Sequence, residues 1–182
     1  VKRLLDIVCC LIALLLFWWV FLIVGILVRV KMGSPIIYKS KRVGKNEESF
    51  EIYKFRSMTN ETDENGVLLP GPKRLTKFGR LLRSTSLDEI PSIFNILKGQ
   101  MSIVGPRPLP EKYLPYFYEH ERVRHSVLPG LTGWAQVNGR NAVTWDDKFR
   151  MDIEYVEKQS FLMDVRVILK TIGKVIKRSD II

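Results

Sequence analysis

Asp88 and Glu89 are adjacent carboxylates, with Arg80 and Arg83 shortly before them. Ser86 and Glu89 have the spacing of a capping box, so the pair is predicted to open a helix. Ile90, Ile93, Phe94 and Leu97 would form its buried face, Pro91 falls within its first turn or so, and Gly99 ends it. Free N–H groups and nearby cations at such a helix mouth keep a carboxylate ionised. The same place attracts phosphate. A carboxylate nucleophile and a phosphoryl electrophile can therefore meet there, provided the arginines offset their repulsion. From this segment alone, ordinary acidic capping is the commoner explanation.

Other residues suit the same chemistry. Arg107 lies between Pro106 and Pro108, whose fixed backbone suits an arginine clamp on phosphate oxygens; a surface arginine on a rigid turn is the alternative. Residues 130–141, GLTGWAQVNGRN, combine glycine turns with amide and guanidinium donors. They fit a phosphate or nucleotide pocket, and also a plain structural loop. Lys54 and Arg56 alternate with Tyr53 and Phe55, which could resemble a nucleic-acid surface. No zinc finger, helix-turn-helix signature or RNP-like aromatic segment accompanies them, so nucleic acid is not an expected partner. His120 and His125 have no third ligand nearby, and Cys9 and Cys10 are adjacent within an apolar run. Neither structural zinc nor a disulfide framework is indicated.

The elements that must position these residues begin with Ile7–Val28, 22 residues without a charge in a chain of 182. That length can cross a hydrocarbon core as helix. Arg29, Lys31 and Met32 follow it in place of a small-x-small cleavage site, so a retained anchor over residues 1–32 is expected rather than a signal peptide. Lys2 and Arg3 flank one end and Arg29 and Lys31 the other, which leaves its direction open. Residues 33–182 are expected to form one catalytic domain. It should contain a β-hairpin (36–38 and 49–58 about a basic turn), a polar loop (59–72), a short basic helix (74–83), a helix over 111–127 and a last helix over 161–177. The last helix, apolar on one side and basic on the other, could lie on anionic phospholipid or pack as a solvated surface helix. With 29 Lys and Arg against 19 Asp and Glu, the charge of +10 favours a polyanionic partner. A membrane-tethered basic module without catalysis would share that feature.

Three segments carry a resemblance: IYKFRSM at 52–58, FGRLLRSTSLDEIPSIFNILKGQMSIVGPRP at 78–108 and PGLTGWAQVNGRN at 129–141. Together the chain resembles the bacterial sugar transferase family of polyprenyl-phosphate phosphoglycosyl transferases. It is particularly similar to the small monotopic members such as the Campylobacter enzyme of the diphospho-bacillosamine N-glycosylation pathway. The resemblance implies a mainly α fold with a small β-hairpin and an N-terminal membrane helix, placed on the cytoplasmic face of the bacterial inner membrane. It implies Mg²⁺-dependent transfer of a phosphosugar from a UDP-sugar to polyprenyl phosphate, undecaprenyl phosphate being expected. Asp88 matches the family's covalent nucleophile and is also the expected metal ligand, and Glu89 matches its dyad partner. Arg83, Arg107 and Arg140 match phosphate or nucleotide contacts, with Lys54, Arg56, Gln136 and Asn141 as further pocket members. Two departures stand out. Trp18-Trp19 replaces a Ser-Pro that bends the family's re-entrant helix, which suggests a straighter helix here. Gln100 stands where the family commonly has Asp.

Overall fold

The computed structural model describes residues 1–139 and 143–177. Its chain is mainly helical with two small sheets and one long N-terminal apolar helix. Helix α1 runs from Lys2 to Met32. Strands β1 (Ile37–Val43) and β2 (Ser49–Phe55) form the antiparallel hairpin, in register from Ile37 opposite Phe55 to Val43 opposite Ser49. Helices α2 (Gly71–Arg74) and α3 (Lys77–Ser84) follow, then a 3₁₀ turn at Leu87–Ser92 and α4 (Ile93–Leu97). Strands β3 (Ser102–Val104) and β4 (Gly130–Thr132) pair in parallel, and α5 (Trp134–Asn138), α6 (Trp145–Glu157) and α7 (Phe161–Lys177) complete the described chain.

Several expectations are corrected. The stretch expected as a basic turn is largely strand, because Lys39 and Lys41 project from the exposed side of β1. The 111–127 helix is instead two 3₁₀ segments, Glu111–Tyr116 and Glu119–His125. Pro115 lies inside the first and lacks the N–H that a continuing helix needs. The capping box at Ser86 does not form. Ser86 is left-handed (φ 57°), its side chain makes no cap, and its carbonyl accepts from the Glu89 N–H. Glu89's carboxylate is turned to distant cations instead of its own backbone.

Helix α1 is bent, although it has no proline. Phe17 leaves helical geometry (φ −120°, ψ 15°), and the Trp19 indole N–H donates to the Leu16 carbonyl across the bend. Contacts at the two ends show how far the chain turns. Arg3 donates to the carbonyls of Ile96 and Leu97, while Phe21 meets Phe94 edge-on at 5.8 Å. Arg3 and Phe21 would lie about 27 Å apart on a straight helix, yet both touch α4, which is only about 7.5 Å long. Both arms of the kinked helix therefore pack on the same globular body. Its first arm is fastened by Asp6, which accepts from Ser102 and from the Ile103 N–H, and by a Lys2–Asp164 ion pair of 2.6 Å. The second arm places Val24 and Val28 against Phe55 and Leu82. Between the arms, Leu15, Leu16, Phe17, Trp18 and Trp19 are exposed.

The remaining packing sets up the hairpin as the floor of a site. Asn95 is fully buried; its amide donates to the Glu51 carbonyl and to Gln100, and its oxygen accepts from the Tyr53 N–H. Ser92 donates to the Tyr53 carbonyl. These bonds clamp the 87–92 turn and α4 to β2, and give Gln100 a structural partner. At Gly79 a Cβ would lie 1.9 Å from the Ser57 carbonyl oxygen, so glycine lets α3 press against the chain just after β2.

Candidate active site

The clamp on β2 brings Lys54 to Glu89, whose carboxylate it meets at 2.5 Å. Arg107 reaches the same oxygen at 3.3 Å. A narrow cleft is lined by Arg42, Lys54, Glu89, Arg107, Gly130 and Leu131, among others. All three segments that carried the family resemblance thus contribute to one cleft. Burial drives the Glu89 carboxyl upward, but Arg107 and Lys54 outweigh it and hold the group below its ordinary value.

Asp88 sits differently. It is 8% exposed, and burial pushes its carboxyl above the usual range, with Glu89 adding to the effect and Lys54 and Arg83 opposing it. The expectation of a carboxylate stabilised by a helix mouth is corrected here: the turn is six residues of 3₁₀ helix and α4 adds five, too little for a substantial macrodipole. Arg83 stands on this side, donating to Ser57 at 2.9 Å. Adjacent carboxylates with opposed shifts have the environment of two groups with different tasks.

Arg107 is held from behind. Arg124 and Asp152, each 3% exposed, form a buried ion pair of 2.7 Å, and the Arg124 guanidinium also donates to the Arg107 carbonyl at 2.8 Å. Phe117 and Phe149 flank that guanidinium, each with its ring centroid 5.5 Å away. Gly130 and Gly105 meet so closely that a Cβ on Gly130 would lie 2.1 Å from the Gly105 nitrogen. This contact joins β4 to the segment that carries Arg107.

The structure therefore brings together Asp88, Glu89, Lys54, Arg83 and Arg107. Gln136 lies behind the wall, donating to the Leu131 carbonyl at 3.2 Å, with its own oxygen buried and unpartnered. Arg56 points away to the end of α1, where it donates to the Ser34 carbonyl. Arg140 and Asn141 lie outside the described residues. Sequence reasoning missed Arg42, which lines the cleft with a buried, unpartnered Nε, and the Arg124–Asp152 support. Burial, then Arg107, lowers the Arg42 pKa, as crowding of cations around an anion site requires.

Magnesium retains waters and takes one or two carboxylates together with substrate phosphates. Among the described residues no group of three His, Cys, Asp or Glu side chains could hold a metal. Glu89 is occupied by two cations, whereas Asp88 makes no ion pair within 4 Å among the described residues. A cation there would need substrate oxygens together with Asp88, since the described side chains form no protein cage.

A mainly helical body with this arginine-lined carboxylate pair agrees with the sequence comparison, in which the profile described as bacterial sugar transferase matches residues 1–178. The chain belongs to the bacterial sugar transferase family. It is 47% identical over 175 residues to the uncharacterized sugar transferase EpsL of Bacillus subtilis, covering 96% of this chain and 87% of that protein. It is 36% identical over 193 residues to the exopolysaccharide production protein ExoY of Rhizobium meliloti, covering 96% and 84%. The UDP-N-acetylgalactosamine-undecaprenyl-phosphate N-acetylgalactosaminephosphotransferase of Aeromonas hydrophila is also 36% identical, over 184 residues; there the match covers 97% of this chain but 44% of the relative.

Proposed function

We propose that this protein is a small monotopic phosphoglycosyl transferase, like the Campylobacter enzyme, moving a phosphosugar from a UDP-sugar to undecaprenyl phosphate. The observation that carries this reading is the cleft in which Lys54, Arg107 and Arg42 surround Glu89 beside Asp88. Similar proteins support it, including the Aeromonas N-acetylgalactosaminephosphotransferase that acts on undecaprenyl phosphate.

An Asp88 carboxylate oxygen attacks the sugar-linked phosphorus, and the bond to the UMP oxygen breaks, leaving a phosphosugar on Asp88 and free UMP. An oxygen of the acceptor phosphate then attacks the same phosphorus, releasing Asp88 and forming polyprenyl-diphosphate-sugar. Lys54, Arg42 and Arg107 bind donor phosphate oxygens, and Arg83 steadies the Asp88 side. Glu89, held ionised by its cations, orients the acceptor or takes its proton. Bound Mg²⁺ would neutralise charge on phosphoryl oxygens, with Asp88 as its protein ligand. Arg140 and Asn141 are kept in this proposal as nucleotide contacts, and Gln136 as support for the β4 wall.

Helix α1 is proposed to enter the cytoplasmic leaflet of the inner membrane and return, because both arms pack on one body while its apolar apex is bare. The exposed Phe161, Leu162, Leu169 and Ile172 of α7 supply a second lipid-facing surface. Labelling a cysteine placed at position 1, in a Cys9→Ser, Cys10→Ser background, should succeed only from the cytoplasmic side; labelling from the opposite side would refute re-entry.

The chemical test is intact-protein mass spectrometry after incubation with UDP-sugar alone. A phosphosugar adduct is expected on the native protein and not on Asp88→Asn. An adduct on the variant would remove Asp88 from this role.

A further inference from the structure

Arg56 is a buried cation for which the fold supplies no anion. It is 5% exposed. One Nη donates to the Ser34 carbonyl at 2.7 Å, while Nε and the other Nη are buried without a hydrogen-bond partner. Arg124, the other buried arginine of the described residues, has a carboxylate partner in Asp152. Among the described residues Arg56 has none, and the charge acting on it is that of another cation, Arg29; burial and then Arg29 lower its pKa. A guanidinium taken from water beside a second cation is costly unless an anion joins it.

The location indicates where that anion comes from. Arg56 directly follows β2, and its N–H donates to the Ile36 carbonyl. Its unpartnered Nη2 faces Gly33, where an added Cβ would lie 3.7 Å away. Gly33 closes the last turn of α1 through an N–H bond to the Arg29 carbonyl. Arg29, Gly33 and Arg56 therefore meet where the 22-residue uncharged stretch ends, the depth of phosphate headgroups for a helix seated in a membrane.

We propose that Arg56 and Arg29 form a seat for the phosphate of a membrane lipid, separate from the donor phosphate site around Glu89. The proposal rests on α1 being membrane-embedded. Entry requires the Gly33–Ser34 turn to ease away from the guanidinium. Ser57, next in sequence, accepts from Arg83, and Arg83 acts on Asp88. The seat and the reactive carboxylate thus share a wall, which suits delivery of a lipid phosphomonoester from the membrane side.

The test uses the full chain in neutral detergent micelles, with binding read by thermal unfolding at increasing concentrations of three probes: farnesyl phosphate, dihexanoyl phosphatidylglycerol and inorganic phosphate. Farnesyl phosphate is expected to bind most tightly. Arg56→Met should weaken it about 10-fold or more, since charge-assisted hydrogen bonds are lost, and Arg29→Gln less. Without ligand, Arg56→Met should melt at or above the native temperature, which loss of a merely structural arginine would not do. Should that variant fail to fold, Arg56→Lys keeps the charge without the fork and should still weaken binding. Preference for phosphatidylglycerol, lost with Arg56, would support the seat and assign it to bilayer lipid. Equal binding of inorganic phosphate, or unchanged farnesyl phosphate binding in the Arg56 variants, would overturn the proposal. Because no turnover is read, a missing Asp88 adduct would refute the transferase reading without touching this result.

Discussion

The Glu89 cleft and the exit of α1 hold the same kinds of cation in opposite settings. In the cleft, Lys54 and Arg107 close on a carboxylate, so much of the charge is balanced before any ligand arrives. At the exit, Arg56 is buried beside Arg29 with no carboxylate. A balanced cluster can be rigid and preformed for a soluble donor. An unbalanced one is completed only by an incoming anion, which suits a ligand delivered by the membrane. The dyad repeats the contrast on a smaller scale: Glu89 is drawn below its ordinary pKa and Asp88 is pushed above its own.

The sharpest way to break this contrast is to remove the proposed nucleophilic oxygen. Asp88→Asn should lower UMP release by about 10³-fold or more, as loss of a covalent nucleophile does, while leaving farnesyl phosphate binding in place. The pH dependence of native adduct formation adds a sign. The folded Asp88 pKa is raised, so the ionised form of the proposed nucleophile is lost as pH falls through a value above the ordinary ~3.9 of aspartate. Arg83→Gln removes an opposing cation and should move that acid limb higher still.

A second intervention cuts the support beneath Arg107. Asp152→Asn leaves Arg124 charged and buried, and should cost about 3–5 kcal/mol in urea unfolding. Arg124→Met with Asp152→Leu removes the pair together and should be far milder for stability. Sugar transfer should still fall in that double variant, because the Arg107 carbonyl is no longer held. In an Arg107→Ala background the same double change should cost no further activity; an additive loss would show that the pair does not act through Arg107. The smallest expected effect is Arg42→Met, which should raise the donor KM about 10-fold, the worth of one charge-assisted contact, with the acceptor KM unchanged.

Much of the site was legible in the sequence because its residues lie in short, dense segments. Lys54, Arg83, Asp88, Glu89 and Arg107 were all selected, and they converge. What escaped depended on distance. Arg42 is one of several basic residues in a short stretch with Lys39, Lys41 and Lys45, and nothing local ties it to Arg107. Arg124 and Asp152 are separated by 28 positions, and a lone arginine or aspartate in a polar segment carries no mark of burial. The Ser86–Glu89 spacing misled for a related reason: the capping partner exists, but Lys54 and Arg107 take the Glu89 carboxylate first. The anchor was legible in length and apolarity, and its bend was not, since proline is only one cause of bending. Here two docked ends accompany a non-helical Phe17.

The folded helix has a consequence for how this protein comes to exist. Cys10 belongs to one apolar cluster, with Phe50, Ile52, Ile96 and Met101, and Val24 and Val28 belong to another, with Phe55 and Leu82. The segment that would hold the protein in the bilayer is thus also internal filling for the part that faces water. Detaching it would leave holes in the globular body, so seating this helix in lipid would at the same time complete the interior.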